Sequence, residues 1–243
     1  AALFSWLLSP YSHLKLVQVI QGSALLAVLL NAIALWKQEP RDQARAAAAR
    51  QTPRVPFRTA WRALVARPHA RRLLVAVGLG SAAFSMQDIL LEPYGGQILG
   101  LGVGDTTALT GLLATGSLLA FGLAARWLQR GADPMRLAAG GVLAGIVAFA
   151  FVIFAEPLQS AALLRAGAGL IGFGGGLFAV ATLTVAMGLD GAHDAPGGSA
   201  VGHGLALGAW GAVQATAAGG TIAFGGVLRD GVSALAVQGA FGP

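Results

Sequence analysis

Apolar residues along this chain come in long runs, and a run of ~20 such residues crosses a bilayer as a helix. Six stretches qualify: Leu14–Trp36, Leu73–Leu99, Thr106–Leu128, Met135–Phe154, Ser160–Met187 and Val201–Leu228. The stretch Val232–Phe241 is too short to add another. Polar residues gather instead between the first two runs, from Lys37 to Arg72. The pattern predicts an all-α polytopic membrane protein.

Charge orients it. The Lys37–Arg72 linker holds ten of the 16 basic residues, and Arg126, Arg130 and Arg136 supply three more. Short loops rich in Lys and Arg stay cytoplasmic. With alternating spans both basic segments fall on one side, and the nearly base-free Gly100–Asp105 and Glu156–Gln159 fall on the other. Within the linker Phe57, Trp61, Leu64 and Val65 recur at helical spacing beside a stripe of Arg54, Arg58 and Arg62. This predicts a short helix on the membrane surface, its arginines near anionic lipid head groups. Topology accounts for the charge, so no nucleic-acid partner is expected. Trp36 and Trp127 fall at cytoplasmic interfaces, where indoles anchor helices.

Composition narrows the classes. Of 243 residues 56% are hydrophobic and 11% charged, with a mean hydropathy of +0.70, against about 25% charged in a soluble domain. The 36 glycines show no Gly-X-Y period and lie in the apolar runs, where small residues let membrane helices approach closely. With no cysteine, disulfide frameworks, thiolate metal sites and thiol nucleophiles are excluded. Ala1–Trp6 lacks an initiating Met and a charged n-region and does not read as a signal peptide. The chain is expected to be a piece of a longer protein.

Against this background two carboxylates stand out. Asp88 and Glu92 lie inside an apolar run, in Met86-Gln87-Asp88-Ile89-Leu90-Leu91-Glu92-Pro93-Tyr94-Gly95-Gly96. An ionised group at bilayer depth costs ~2.5–3.5 kcal/mol on insertion scales, which makes it a functional candidate. Four apart on a helix, the two share a face about 6 Å from each other. Pro93 removes a backbone donor and Gly95-Gly96 loosen the next turn, so a kinked, acidic break is expected. Three readings stay open: a proton or cation relay, a hydrogen-bonded lock to a neighbouring helix, or a Glu92 that simply meets water. The last has force because, at the rise of a helix, Glu92 is ~28 Å from Leu73 and Asp88 ~22 Å.

Other motifs carry less. Gly167-Ala168-Gly169-Leu170-Ile171-Gly172 is a literal G-x-G-x-x-G with Asp190 beyond it. A dinucleotide site needs a strand before it and a soluble βαβ unit around it; here the glycines sit mid-span and read as helix-packing surface. Gly141/Gly145, Gly172/Gly176 and Gly204/Gly208 are further small-xxx-small pairs. Gln18, Gln21 and Asn31 in the first span, and Gln214 in the last, are expected to face protein or a cavity. His13, His69, His193 and His203 lack zinc spacing, no nucleophile triad is visible, and no enzyme is expected.

The string Gln87-Asp88-x-Leu90-Leu91-Glu92-Pro93-Tyr94-Gly95-Gly96 resembles the hallmark of the PucC/LhaA family, the bacteriochlorophyll-delivery branch of the major facilitator superfamily. Gly204 to Ala217, with Trp210 and Gln214, resembles a second family block. The resemblance covers essentially the whole chain. It implies a major-facilitator-like bundle in which residues 1–36 are the last helix of the N-terminal half. Residues 37–72 would be the basic cytoplasmic linker, and 73–243 a C-terminal bundle lacking its final helix. It implies assembly of light-harvesting 1 or light-harvesting 2 antennae in the photosynthetic inner membrane, with antenna polypeptides, the reaction-centre complex and membrane lipids as partners. Bacteriochlorophyll is the cofactor it suggests. Asp88, Glu92, Tyr94, His203, Trp210 and Gln214 are then the candidate pigment- or partner-binding residues, and Arg54, Arg58, Trp61 and Arg62 the membrane-surface ones. His203, at the mouth of the last span, is the candidate ligand for a chlorophyll-type magnesium, against the plainer reading of a loop histidine. In Gly122-Leu123-Ala124-Ala125-Arg126-Trp127-Leu128-Gln129-Arg130 an arginine stands where superfamily transporters carry an acid. That departure speaks against an ordinary gated transport cycle. The rival expectation is a proton-coupled transporter using Asp88 or Glu92.

Overall fold

The computed structural model describes residues 13–35, 56–191 and 204–237. Among them the chain is helical throughout: α1 (His13–Leu35), α2 (Phe57–Ala66), α3 (Pro68–Ser85), α4 (Gln87–Pro93), a π-helical turn (Tyr94–Ile98), α5 (Val103–Gln129), α6 (Pro134–Ala155), α7 (Ala161–Gly191) and α8 (Leu205–Val237). Six spans are long and apolar enough to cross a membrane, and they correspond to the six runs read from the sequence. The ends differ in detail. α8 starts at Leu205 rather than Val201 and runs on to Val237, absorbing part of the stretch judged too short.

Glycine explains how the bundle closes. α7 lies between α5 and α6, and half of its most apolar stretch is buried. On one side a methyl at Gly172 would sit 2.0 Å from the Leu113 carbonyl oxygen, and one at Gly116 would sit 2.1 Å from that of Gly169. On the other side Gly141 and Gly174 face each other, each leaving 2.6 Å to the partner's carbonyl oxygen. Gly167 fits against Val152 and Ala148 of α6. The G-x-G-x-x-G string is therefore a two-sided helix seam. Gly204 and Gly208 do otherwise: among the described residues a methyl on either meets nothing within 4 Å, and Gly204, at φ 105°, precedes α8 rather than sharing a helix face with Gly208.

Each end of the bundle has its own core. Ala120, Ala124, Leu137, Ala138, Leu177 and Phe178 fill the end where α5 stops and α6 starts. Asp133 fixes that start by accepting from the Met135 amide at 2.8 Å, with Pro134 as the first helical residue; both are common helix-opening devices. Leu91, Leu109, Ala155, Leu164 and Ala168 fill the opposite end. There Asp105 accepts from Arg165 Nη2 at 2.9 Å, tying the start of α5 to that of α7. Phe84 of α3 lies against Gly145 and Gly175 and stands 6.0 Å from Phe178 and 6.4 Å from Phe149, ring to ring.

α1 departs from expectation, while α2 is a short helix where one was expected. No described residue of α1 is buried; Gln18 and Gln21 are exposed, and Asn31 donates to Ala27 of its own helix at 2.8 Å. Among the described residues none covers these side chains. In α2 the buried residues are Ala60 and Leu64, and Leu64 joins Ala70, Ala206 and Ala209 in one cluster. Phe57 and Trp61, expected on the same apolar stripe as Leu64, are exposed and stack at 6.2 Å.

Candidate functional site

The acid-bearing segment is built by three backbone events. α3 ends at Ser85, and a turn at Met86 passes the chain into α4. Pro93 has no N–H to return to the Ile89 carbonyl, and the helix widens into the π-helical turn, where the Leu99 amide reaches Tyr94 O at 3.4 Å. Gly100, at φ 64°, then ends the span in the left-handed region that glycine adopts without steric cost. Such π-helical turns are frequent at functional sites. The expected kinked break is present.

Two faces of this break differ in chemistry. Asp88 and Glu92 lie toward α5, where Thr110 Oγ1 donates to Glu92 Oε1 at 2.8 Å and Gln87 Nε2 donates to Asp88 Oδ1. With Leu91 and Leu113 these four polar residues line a cavity of about 270 Å³. Toward α6 and α7 lies a second cavity of about 470 Å³, its walls including Met86, Leu90, Phe149, Val152 and Ile171. Gln87 and Leu91 border both cavities. The buried Gln87 Oε1 has no hydrogen-bond partner. Tyr94 borders the apolar cavity, and its hydroxyl accepts from the Glu156 amide at 3.1 Å. That bond locates the site near the end of the bundle opposite α2.

The remaining candidates do not join it. Trp210 and Gln214 lie a turn apart on α8, both half-buried. Trp210 Nε1 donates to the buried Thr182 Oγ1 at 3.1 Å, and its ring packs near Leu73, Val77 and Val213. Arg58, Trp61 and Arg62 are exposed on α2 at the other end. Arg54 and His203, like Trp36 and His193, lie outside the described residues. Among the described residues no group of three or more His, Asp or Glu side chains gathers where a metal ion could be held. Sequence reasoning missed Thr110 and Thr182. Threonines inside apolar runs were the available signal, but their partners are set only by tertiary packing.

A family model described as PUCC protein matches residues 1–243. The chain belongs to the PucC family. It is 47% identical over 233 residues to Protein PucC of Rhodovulum sulfidophilum, covering 96% of this chain and 50% of that protein. It is 48% identical over 245 residues to a Rhodobacter capsulatus protein described by its position in the puhA-bchM intergenic region, covering 100% of this chain and 49% of that one. It is also 34% identical over 233 residues to the bacteriochlorophyll synthase 44.5 kDa chain of Rhodobacter capsulatus, covering 94% and 51%. The chain spans about half the length of the curated relatives it matches. Six apolar helices in a PucC-family chain make this a multi-pass membrane protein.

Proposed function

We propose that this PucC-family chain serves the assembly of bacterial light-harvesting antennae, of type 1 or type 2, in the photosynthetic inner membrane. The observation that carries the reading is the family match over the whole chain. The role is that of a scaffold rather than a catalyst. Helices in lipid associate through close contact and hydrogen bonds, so apolar antenna helices would dock by packing beside the Asp88/Glu92 break. In a major-facilitator-like plan residues 1–36 belong to the N-terminal half, 37–72 to the linker and 73–243 to the C-terminal half.

Bacteriochlorophyll fits this site in part. The cavity of about 470 Å³ is bordered almost wholly by apolar side chains, and its size is within the ~300–1,000 Å³ usual for small-molecule sites. A hydrocarbon tail suits that lining. No histidine borders it, so the lining offers no imidazole to a magnesium. When bound, the pigment would supply light absorption; the chain's part is to shield the tail from lipid and water.

A specific observation favours the rival, a proton-coupled transporter: two carboxylates share a polar cavity of about 270 Å³. Transport sites are usually formed near the midplane between two repeats, whereas this cavity lies between α4 and α5 of one bundle. Exchanging Asp88→Asn and Glu92→Gln together separates the readings. Assembly predicts that antenna absorbance falls, that antenna polypeptides no longer co-purify in mild detergent, and that vesicles show no pH-driven flux with or without the exchange. Lost flux with normal antennae would refute it.

A further inference from the structure

The exposed side of α2 has no place in that scheme, and its chemistry is specific. α2 is held at one end of the bundle by Leu64, which packs with Ala70 at the start of α3, Leu189 near the end of α7, and Leu205, Ala206 and Ala209 at the start of α8. These helix ends mark the face that the basic loops assign to the cytoplasm. Arg67, ahead of Pro68, is extended at φ −75° and ψ 120° and makes the corner between α2 and α3; a residue before proline is driven out of the helical region. The corner sets α2 where α3 enters the membrane. Anchored on one side, α2 leaves Phe57, Arg58, Trp61 and Arg62 exposed, with Arg71 and Arg72 exposed one turn into α3.

We propose that this surface is a binding site for the anionic head group of a phospholipid, with the stacked Phe57–Trp61 pair set at the level of the glycerol and upper acyl chain. Two observations select this occupant. The charge is of one sign: no Asp or Glu occurs between Asp42 and Asp88, and neither α2 nor α3 has an acid in its first turn. The aromatic pair is at helical spacing beside the arginines, and an exposed indole with an apolar body and polar edge belongs at a membrane interface. A soluble acidic protein would satisfy the arginines but would leave the phenyl–indole pair at the membrane without a role. Because α2 touches both α3 and α8, a bound head group would also clamp the start of those two spans.

The test uses the purified protein in nanodiscs made with trace spin-labelled phosphatidylglycerol or spin-labelled phosphatidylcholine, reading the motionally restricted lipid fraction. Wild type is expected to prefer phosphatidylglycerol. Exchanging Arg58, Arg62, Arg71 and Arg72 for Gln is expected to reduce the preference at least tenfold, since each basic group near an anionic surface contributes a several-fold factor ~1 kcal/mol in size. Exchanging Arg126, Arg130 and Arg136 for Gln, at the same end of the bundle, should leave most of it. Should the quadruple variant misfold, Arg58→Gln with Arg62→Gln alone is expected to remove a large share. Equal retention of the two lipids by wild type would overturn the proposal. So would loss of preference of the same size in the Arg126/Arg130/Arg136 set, or an acidic soluble protein that displaces the lipid.

Discussion

Placing a methyl at Gly172 tests the glycine seam directly. In Gly172→Ala the new carbon would stand 2.0 Å from the Leu113 carbonyl oxygen, 2.7 Å from its carbon and 2.8 Å from its Cα. Non-bonded heavy atoms are comfortable at about 3.5–4.0 Å, so α5 and α7 must separate by roughly 1 Å. Every contact along the seam, including Gly116 on Gly169 and Gly176 on Ser117, then loses part of its attraction; a gap of that size forfeits about a quarter to a half of each pairwise well. Overpacking costs ~1–3 kcal/mol, and the better helix propensity of alanine returns ~0.5–1 kcal/mol. The net is about 1–2 kcal/mol, a factor of roughly 5–30 in the unfolding equilibrium. Gly208→Ala is the control, because a methyl there meets nothing within 4 Å and only the propensity gain applies. Both variants are unfolded by sodium dodecyl sulfate in mixed micelles, followed by helical circular dichroism. Gly172→Ala matching or exceeding Gly208→Ala in stability would refute the seam.

Two smaller perturbations probe single hydrogen bonds. Asp133→Ala removes the acceptor of the Met135 amide and should cost ~0.5–2 kcal/mol, as loss of a helix cap does; unchanged unfolding would show that Asp133 does not cap α6. Thr182→Val keeps the shape of a side chain that is 1% exposed but strands the Trp210 indole N–H. It should cost ~1–3 kcal/mol, and Trp210→Phe, which takes the donor away as well, should cost less; the reverse order in thermal melts would refute the bond.

What could be read in advance divides along physical lines. Length and hydropathy settled the spans, because lipid demands an unbroken apolar helix and tolerates few alternatives. The proline and paired glycines after Glu92 announced the break, since their backbone limits are local. The partners were not legible. That Glu92 meets Thr110, or that Tyr94 meets the Glu156 amide, depends on how α4, α5 and α6 rotate about their axes. Apolar runs this uniform leave that rotation undetermined. In α2 the spacing announced a short helix, but not that its apolar stripe would split, with Ala60 and Leu64 buried and Phe57 and Trp61 exposed. Gly204 and Gly208 share the spacing of Gly172 and Gly176, yet among the described residues it is the latter pair whose added methyls would meet a neighbouring helix backbone.

The double seam through α7 restricts where this protein can change shape. With main-chain atoms of three helices nested against one another, α5, α6 and α7 form a plate that cannot shear by a fraction of a turn without collision. Helices α3 and α8 meet that plate through side chains, Phe84 and Trp210 foremost, which can swing between rotamers. A shift of α3, α4 or α8 against that plate needs only such side-chain changes, whereas a shift within the plate needs its helices to part. The carboxylates stand on α4 and Thr110 on the plate, so the Glu92–Thr110 hydrogen bond spans that boundary.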